Sequence, residues 1–362
     1  MRAFITGLFA AALLLPSALA GAAQAQGLRS PFDVEAARAA RGQPAGYFSC
    51  PSPPKGLRDL DFGGYYADRG AGSSVVDKQA EAAYREATAS INKFQADLTV
   101  MADRYAASKP ADAQFAVCAL DWLADWAAMG AMLGRVSDQG GYVRKWGLAP
   151  ISASYLKVRG EATLDPAKKQ AVEAWIKSYA NIVYRDYDSE QKESRRNNHV
   201  YWAAWSVGLA AVALDDKKLF DWSMDKARLG LRQVTAEGIL PLELGRKARA
   251  YHYHVFAAAP LVMTAELGLR NGVDLYPYRD GALKRLVDLV VANFDDDSFF
   301  AQKTGVKQDR ASSSKAIHFP WLEPYYARTQ DPAAAKIIAK LRPMRETRVG
   351  GDLTMYFGAS LP

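Results

Sequence analysis

Apolar residues recur at helical spacing through most of the chain. Phe115, Cys118, Trp122, Trp126, Met129 and Leu133 advance by threes and fours, which predicts a helix with one apolar face from Asp112 to a stop at Gly134. Upstream, residues 78–107 are rich in Ala, Glu, Gln and Lys, all good helix formers, and Lys109-Pro110 ends that run. Further helices are predicted over 142–158, over 166–184 behind the start signal Asp165-Pro166, and over 198–214 with Asn198 as N-cap. Others follow over 217–234, 246–269, 280–293, 320–328 and 332–341. Residues 299–315 read as loop, and 348–351 as extended chain. Strand-type alternation is nearly absent. Long helices joined by short turns make an all-α fold: a bundle, a superhelix or a toroid. No fixed repeat period points to a solenoid, and no linker splits the helices, so one domain over 26–362 is expected.

Two segments break the pattern. Residues 1–25 carry a basic Arg2, an apolar run from Phe4 to Leu15 and small-residue cleavage sites, the marks of a secretory signal peptide. No other stretch reaches about 18 uninterrupted apolar residues, so no membrane insertion is expected and the product should be periplasmic. Residues 27–75 read as irregular, with Cys50-Pro51-Ser52-Pro53-Pro54 and then a glycine-rich loop that contains Tyr65 and Tyr66. Loops this long are functional lids or disordered, and the lid is placed at about 60–75.

Charge narrows the partners. The formal charge is +7 over 362 residues, which suits nucleic acid or an acidic polymer. Export and the lack of any long Lys/Arg run argue against nucleic acid and for an anionic polysaccharide; a basic surface that only keeps the protein soluble is the plain alternative. A monomer is expected. Two cysteines, Cys50 and Cys118, permit one disulfide in an oxidising compartment; two buried thiols are the alternative.

The candidate chemistry sits in two stretches. Arg196-Asn197-Asn198-His199-Val200-Tyr201-Trp202 crowds amides, an imidazole and an indole into one helix start. Arg246 and Tyr253, read on one helix, are two turns apart and share a face about 10 Å long, with Arg249 between them. A cation and a phenol on one face suit an acidic sugar, and Trp202 could stack on it. Each feature has a structural alternative: a capping or core histidine, core tryptophans, a solvated arginine face, a core tyrosine with one partner. His252 and His254 are two residues apart and cannot chelate one ion from a helix, so neither a metal nor a cofactor is expected.

At these residues the chain resembles the alginate lyases of polysaccharide lyase family 5. The resemblance runs through Asn197-Asn198-His199-x-Tyr201-Trp202-Ala203-Ala204-Trp205, through Leu219-Phe220-Asp221-Trp222, and through Leu240-Pro241-x-Glu243-Leu244-x-Arg246-x-x-Arg249-Ala250-x-x-Tyr253-His254. Weaker matches at Arg144-Lys145-Trp146, Trp321-Leu322-Glu323-Pro324-Tyr325 and Gly350-Gly351 extend it over the mature chain. It implies an incomplete α/α-toroid with a lid loop, β-elimination without a cofactor, and polymannuronate as substrate. It places Asn198, His199, Arg246 and Tyr253 in the active site and pairs Cys50 with Cys118. Tyr65, Tyr66, Arg144, Lys145, Trp146, Trp202, Arg249 and Arg348 complete the candidate substrate-binding set. Val200 replaces the family's usual serine, and Tyr65-Tyr66 stands where some members carry a lysine. A broader polyuronate lyase that also takes glucuronan or hyaluronan, and a non-catalytic polysaccharide-binding protein, are the alternatives.

Overall fold

The computed structural model describes residues 27–67, 74–310 and 315–362; the leader and part of the lid lie outside them. Among the described residues fifteen α-helices are seen: α1 (Val34–Arg41), α2 (Lys78–Ala87), α3 (Ala89–Ala107), α4 (Ala113–Ala128), α5 (Asp138–Val158), α6 (Pro166–Asp188), α7 (Asn198–Leu214), α8 (Lys217–Gln233), α9 (Pro241–Leu244), α10 (Ala250–Arg270), α11 (Tyr278–Ala292), α12 (Ser298–Thr304), α13 (Leu322–Thr329), α14 (Pro332–Leu341) and α15 (Leu353–Phe357).

The long helices form two concentric rows. Helices α3, α5, α7 and α10 pack side by side as the inner row, and α4, α6, α8 and α11 back them as the outer row. This is an incomplete α/α-toroid. Burial follows the rows. α7 is buried around almost its whole circumference, whereas α8 buries one face that includes Leu219, Phe220 and Trp222.

Local chemistry sets the boundaries. Asp112, Asp165 and Asp331 cap α4, α6 and α14 through backbone N–H groups at their starts. The single helix expected over 78–107 divides at Thr88, whose hydroxyl bonds the Tyr84 carbonyl at 2.8 Å. α4 stops at Ala128 rather than Gly134, because Gly130 takes a left-handed φ of 59°. Met129 is therefore exposed instead of continuing the apolar face.

The segment expected to be irregular is strapped down rather than loose. It holds α1, and the Cys50–Cys118 disulfide joins it to α4. Trp122 and Trp126 donate their indole N–H groups to the Pro51 and Pro54 carbonyls at 2.8 and 2.9 Å. At the other end, β1 (Arg345–Glu346) and β2 (Gly351–Asp352) pair antiparallel around a short turn that carries Arg348. Gly350 makes that turn possible: its φ is 107°, and a Cβ there would lie 2.3 Å from the Phe32 ring. Buried Lys157 bonds both Asp103 and the Gly350 carbonyl, which fixes the turn onto α5.

Candidate active site

Asn197, not Asn198, caps α7; its side chain accepts from the His199 N–H at 3.1 Å. Asn198 is thereby freed for another partner, the buried Glu243 of α9. The Glu243 carboxylate accepts from Asn198 N at 2.7 Å and from its Nδ2 at 3.0 and 2.9 Å. Burial lifts Glu243 to about 7, against the Asn198 hydrogen bonds and the Arg246 charge, which pull it down. With Nδ2 occupied, Asn198 Oδ1 is left without a partner among the described residues.

His199 stands on the same helix start. Its ring stacks on Tyr142 at 4.0 Å, and its Nδ1 lies 2.6 Å from the Nζ of Lys145 on α5. Burial, then Lys145, Arg246 and Arg195, hold the imidazole well below its ordinary range, so it is neutral near pH 7.

The opposite wall departs from the geometry expected of one helix. The chain does not run helically from Arg246 to Tyr253. Arg246 precedes a short turn over Lys247–Arg249, Lys247 has φ 50°, and α10 begins at Ala250. Gln308 braces this turn, donating to the Lys247 carbonyl at 3.0 Å and accepting from Tyr251 N at 3.1 Å. The fold-back sets the Arg246 guanidinium 3.4 Å from the centre of the Tyr253 ring instead of about two turns away.

Over this wall lies the lid. Tyr66 bridges to Val76, and its hydroxyl is 2.8 Å from that of Tyr253. Arg249 donates to the same Tyr66 oxygen. Tyr65 stacks beside Tyr66 at 4.8 Å. Burial raises both lid phenols and so keeps them protonated, with Tyr253 adding to the effect.

The walls enclose one cleft of about 460 Å³, a size typical of small-ligand sites. Asn198, His199, Arg246 and Tyr253 all line it, as do Tyr65, Tyr66, Trp146, Trp202, Arg249 and Arg348. The indole N–H groups of Trp146 and Trp202 have no partner among the described residues. Arg348 lies over the Trp146 ring at 4.9 Å. Two expected binding residues are elsewhere. Arg144 is buried and donates to the carbonyls of Met132 and Gly134. Lys145 lies behind His199 and reaches the cleft only through it.

The sequence reading gave no role to Glu243 or Tyr142. Glu243 stood in the same motif as Arg246, but its partner is 45 residues away on another helix. His254 is used by the backbone at both ring nitrogens: Nε2 accepts from Leu240 N at 3.0 Å, and Nδ1 lies 2.8 Å from the Ala250 carbonyl. Among the described residues no cluster of His, Cys, Asp and Glu could hold a metal ion.

Residues 63–300 match the family described as alginate lyase. The chain is 35% identical over 314 residues to a polysaccharide lyase of Stenotrophomonas maltophilia (strain K279a), covering 85% of this chain and 91% of that protein. It is 35% identical over 320 residues to an alginate lyase of Pseudomonas syringae pv. syringae (strain B728a), covering 86% and 84%. In structure it resembles alginate lyase A1-III from Sphingomonas species A1, with a TM-score of 0.78 and 21% identity over 91% of this chain and 96% of that one. A form of alginate lyase A1-III complexed with a tetrasaccharide superposes with a TM-score of 0.82 at 21% identity, over 91% and 96%. At that identity the likeness bears on the fold.

Proposed function

The chain belongs to the alginate lyase family and is a polysaccharide lyase acting on alginate; on that premise we propose that it cleaves polymannuronate by β-elimination, with Tyr253 as both base and acid. The observation that carries this reading is the stack of Arg246 on Tyr253 at 3.4 Å, in a cleft that His199 also lines.

The chemistry needs three things. The uronate carboxylate must be neutralised so that charge can develop on it as H5 leaves. A base must take H5, and an acid must give a proton to O4 as the C4–O4 bond breaks. In D-mannuronate H5 and O4 lie on the same side, so one group can do both tasks. Tyr253 takes H5 as phenolate, the C4=C5 double bond forms, and the phenol returns the proton to O4. Negative charge on the Tyr253 oxygen meets the Arg246 cation and the hydroxyl of Tyr66, whose oxygen itself accepts a hydrogen bond from Arg249. On this reading Arg246 and His199 face the carboxylate. Asn198, whose side-chain donor is spent on Glu243, accepts from a sugar hydroxyl through Oδ1. Trp202 and Trp146 offer indole faces and N–H groups to neighbouring rings.

The leader at 1–25 supports export to the periplasm, where such a polymer is met. Incubation of the purified protein with polymannuronate tests the reading. Ultraviolet absorbance of the new unsaturated uronate should rise in step with new chain ends. Chain ends without the absorbance would mean hydrolysis; neither would mean binding alone.

A further inference from the structure

Lys145 is fully buried, and its Nζ has His199 Nδ1 as hydrogen-bond partner at 2.6 Å. Among the described residues it forms no salt bridge with a carboxylate. Instead its Nζ faces three aromatic rings: Trp146 at 4.3 Å, Tyr142 at 5.1 Å and Tyr187 at 5.4 Å. Such a box favours an ammonium over a neutral amine. An amine's ordinary hold on a proton also exceeds an imidazole's by about four orders of magnitude, and both groups share the same burial. Burial and the Arg348 and Arg195 charges pull Lys145 well below its ordinary range, but burial and neighbouring cations lower His199 as well, so the amine keeps the proton in preference to the imidazole.

An ammonium has only donors, so the atom it meets must be an unprotonated ring nitrogen. From this geometry we infer that Lys145 is a positioning residue: it donates to His199 Nδ1, fixes the tautomer with the proton on Nε2, and turns that N–H toward the cleft as a donor to the uronate carboxylate. The inference rests on the lyase reading for what the donor meets, but the pairing itself does not. It assigns His199 to charge neutralisation and removes it as a proton acceptor. It also explains why a lysine that touches no part of the cleft lies so close to its centre. The stack of His199 on Tyr142 holds the ring plane in which the bond to Lys145 is made.

The groups that face the pair are Tyr142 on α5, Tyr187 on α6, Arg195 before α7, Arg246 before α10 and Arg348 on the C-terminal turn. All three arginines disfavour a further proton on the pair. Imidazole protonation should thus be suppressed at neutral pH in the native protein and recover in part when Lys145 is removed.

Nitrogen-15 NMR of the full chain, which has four histidines, tests this. The His199 signals are assigned by their loss in His199→Gln. The expected native spectrum has an unprotonated Nδ1 and a protonated Nε2 throughout the neutral range. In Lys145→Met the His199 titration should move to higher pH, and kcat on polymannuronate should fall about 10- to 100-fold with little change in KM. A native Nδ1 that carries the proton overturns the inference, as does a Lys145→Met protein whose His199 titration and kcat are unchanged. If Lys145→Met does not fold, the native spectrum alone decides. A native spectrum as expected, beside a silent assay on every polyuronate, counts against the lyase reading and leaves the pairing standing.

Discussion

The two walls of the cleft are built on different principles. The α7 wall is braced from behind: Asn198 is clamped by Glu243 and His199 by Lys145, both partners being wholly buried. The lid wall is braced from in front. Tyr66 is tied by its hydroxyl to Tyr253 and Arg249, residues that line the cleft themselves. A donor held from behind keeps its aim whether or not the cleft is filled. On the proposed mechanism that phenol reacts, so the lid must exchange this contact when substrate arrives. The first wall is suited to preorganised charge stabilisation, and the second to access and polymer choice.

The largest effect should come from the residue common to both descriptions. Tyr253→Phe should lower kcat about 10³-fold or more while polymannuronate binding and the folded state persist, as read by turnover and by titration of binding. Glu243→Gln attacks the braced wall alone. It sets an amide donor against the two Asn198 donors and should cost about 10- to 100-fold in kcat. It also carries a pH signature. Burial raises Glu243 from 4.5 to about 7, so its contribution to stability is complete below the lower value and lost as pH rises through the higher one. The loss is ~3 kcal/mol, so Glu243→Gln should flatten the fall of Tm over that window.

Tyr66→Phe attacks the lid alone. It keeps the stack on Tyr65 but cuts the hydroxyl chain from Arg249 to Tyr253. Turnover should fall by about tenfold, with Tm nearly unchanged, as steady-state kinetics and a thermal melt would show. If Tyr66→Phe proves as damaging as Tyr253→Phe, the division between the walls fails. Removing the strap should touch chemistry least. Cys50→Ser with Cys118→Ser opens a loop of 68 residues and should cost about 2–5 kcal/mol in denaturant unfolding, with kcat within about twofold.

Much of the fold was legible because capping and periodicity are local signals. The Asp112, Asp165 and Asp331 caps begin helices where the sequence places them, and the 332–341 helix has the expected bounds. The misplaced features depend on distant contacts or on backbone geometry. Gly130 closes α4 early, and the positive φ at Lys247 breaks the expected run from Arg246 to Tyr253. That break is what brings cation and phenol into contact, so the two residues meet as the sequence suggests, but through a geometry that one continuous helix would not give. A helix, α12, lies where loop was expected at 299–315, and beyond it Gln308 braces the Arg246 turn through side-chain bonds that no local pattern encodes. Arg144 and Lys145 entered the candidate binding set with Trp146, as a stretch matching the family. Helical geometry instead turns one toward backbone carbonyls and the other toward His199.

The central claim is that one phenol serves both proton transfers, which requires H5 and O4 on the same side of the ring. Initial rates on polymannuronate and polyguluronate of matched length, followed by the absorbance of the unsaturated product, test it most directly. Polymannuronate should be cut at least about 10²-fold faster, because inverting C5 carries H5 away from the group that serves O4. Equal rates on the two polymers would contradict a single-tyrosine mechanism.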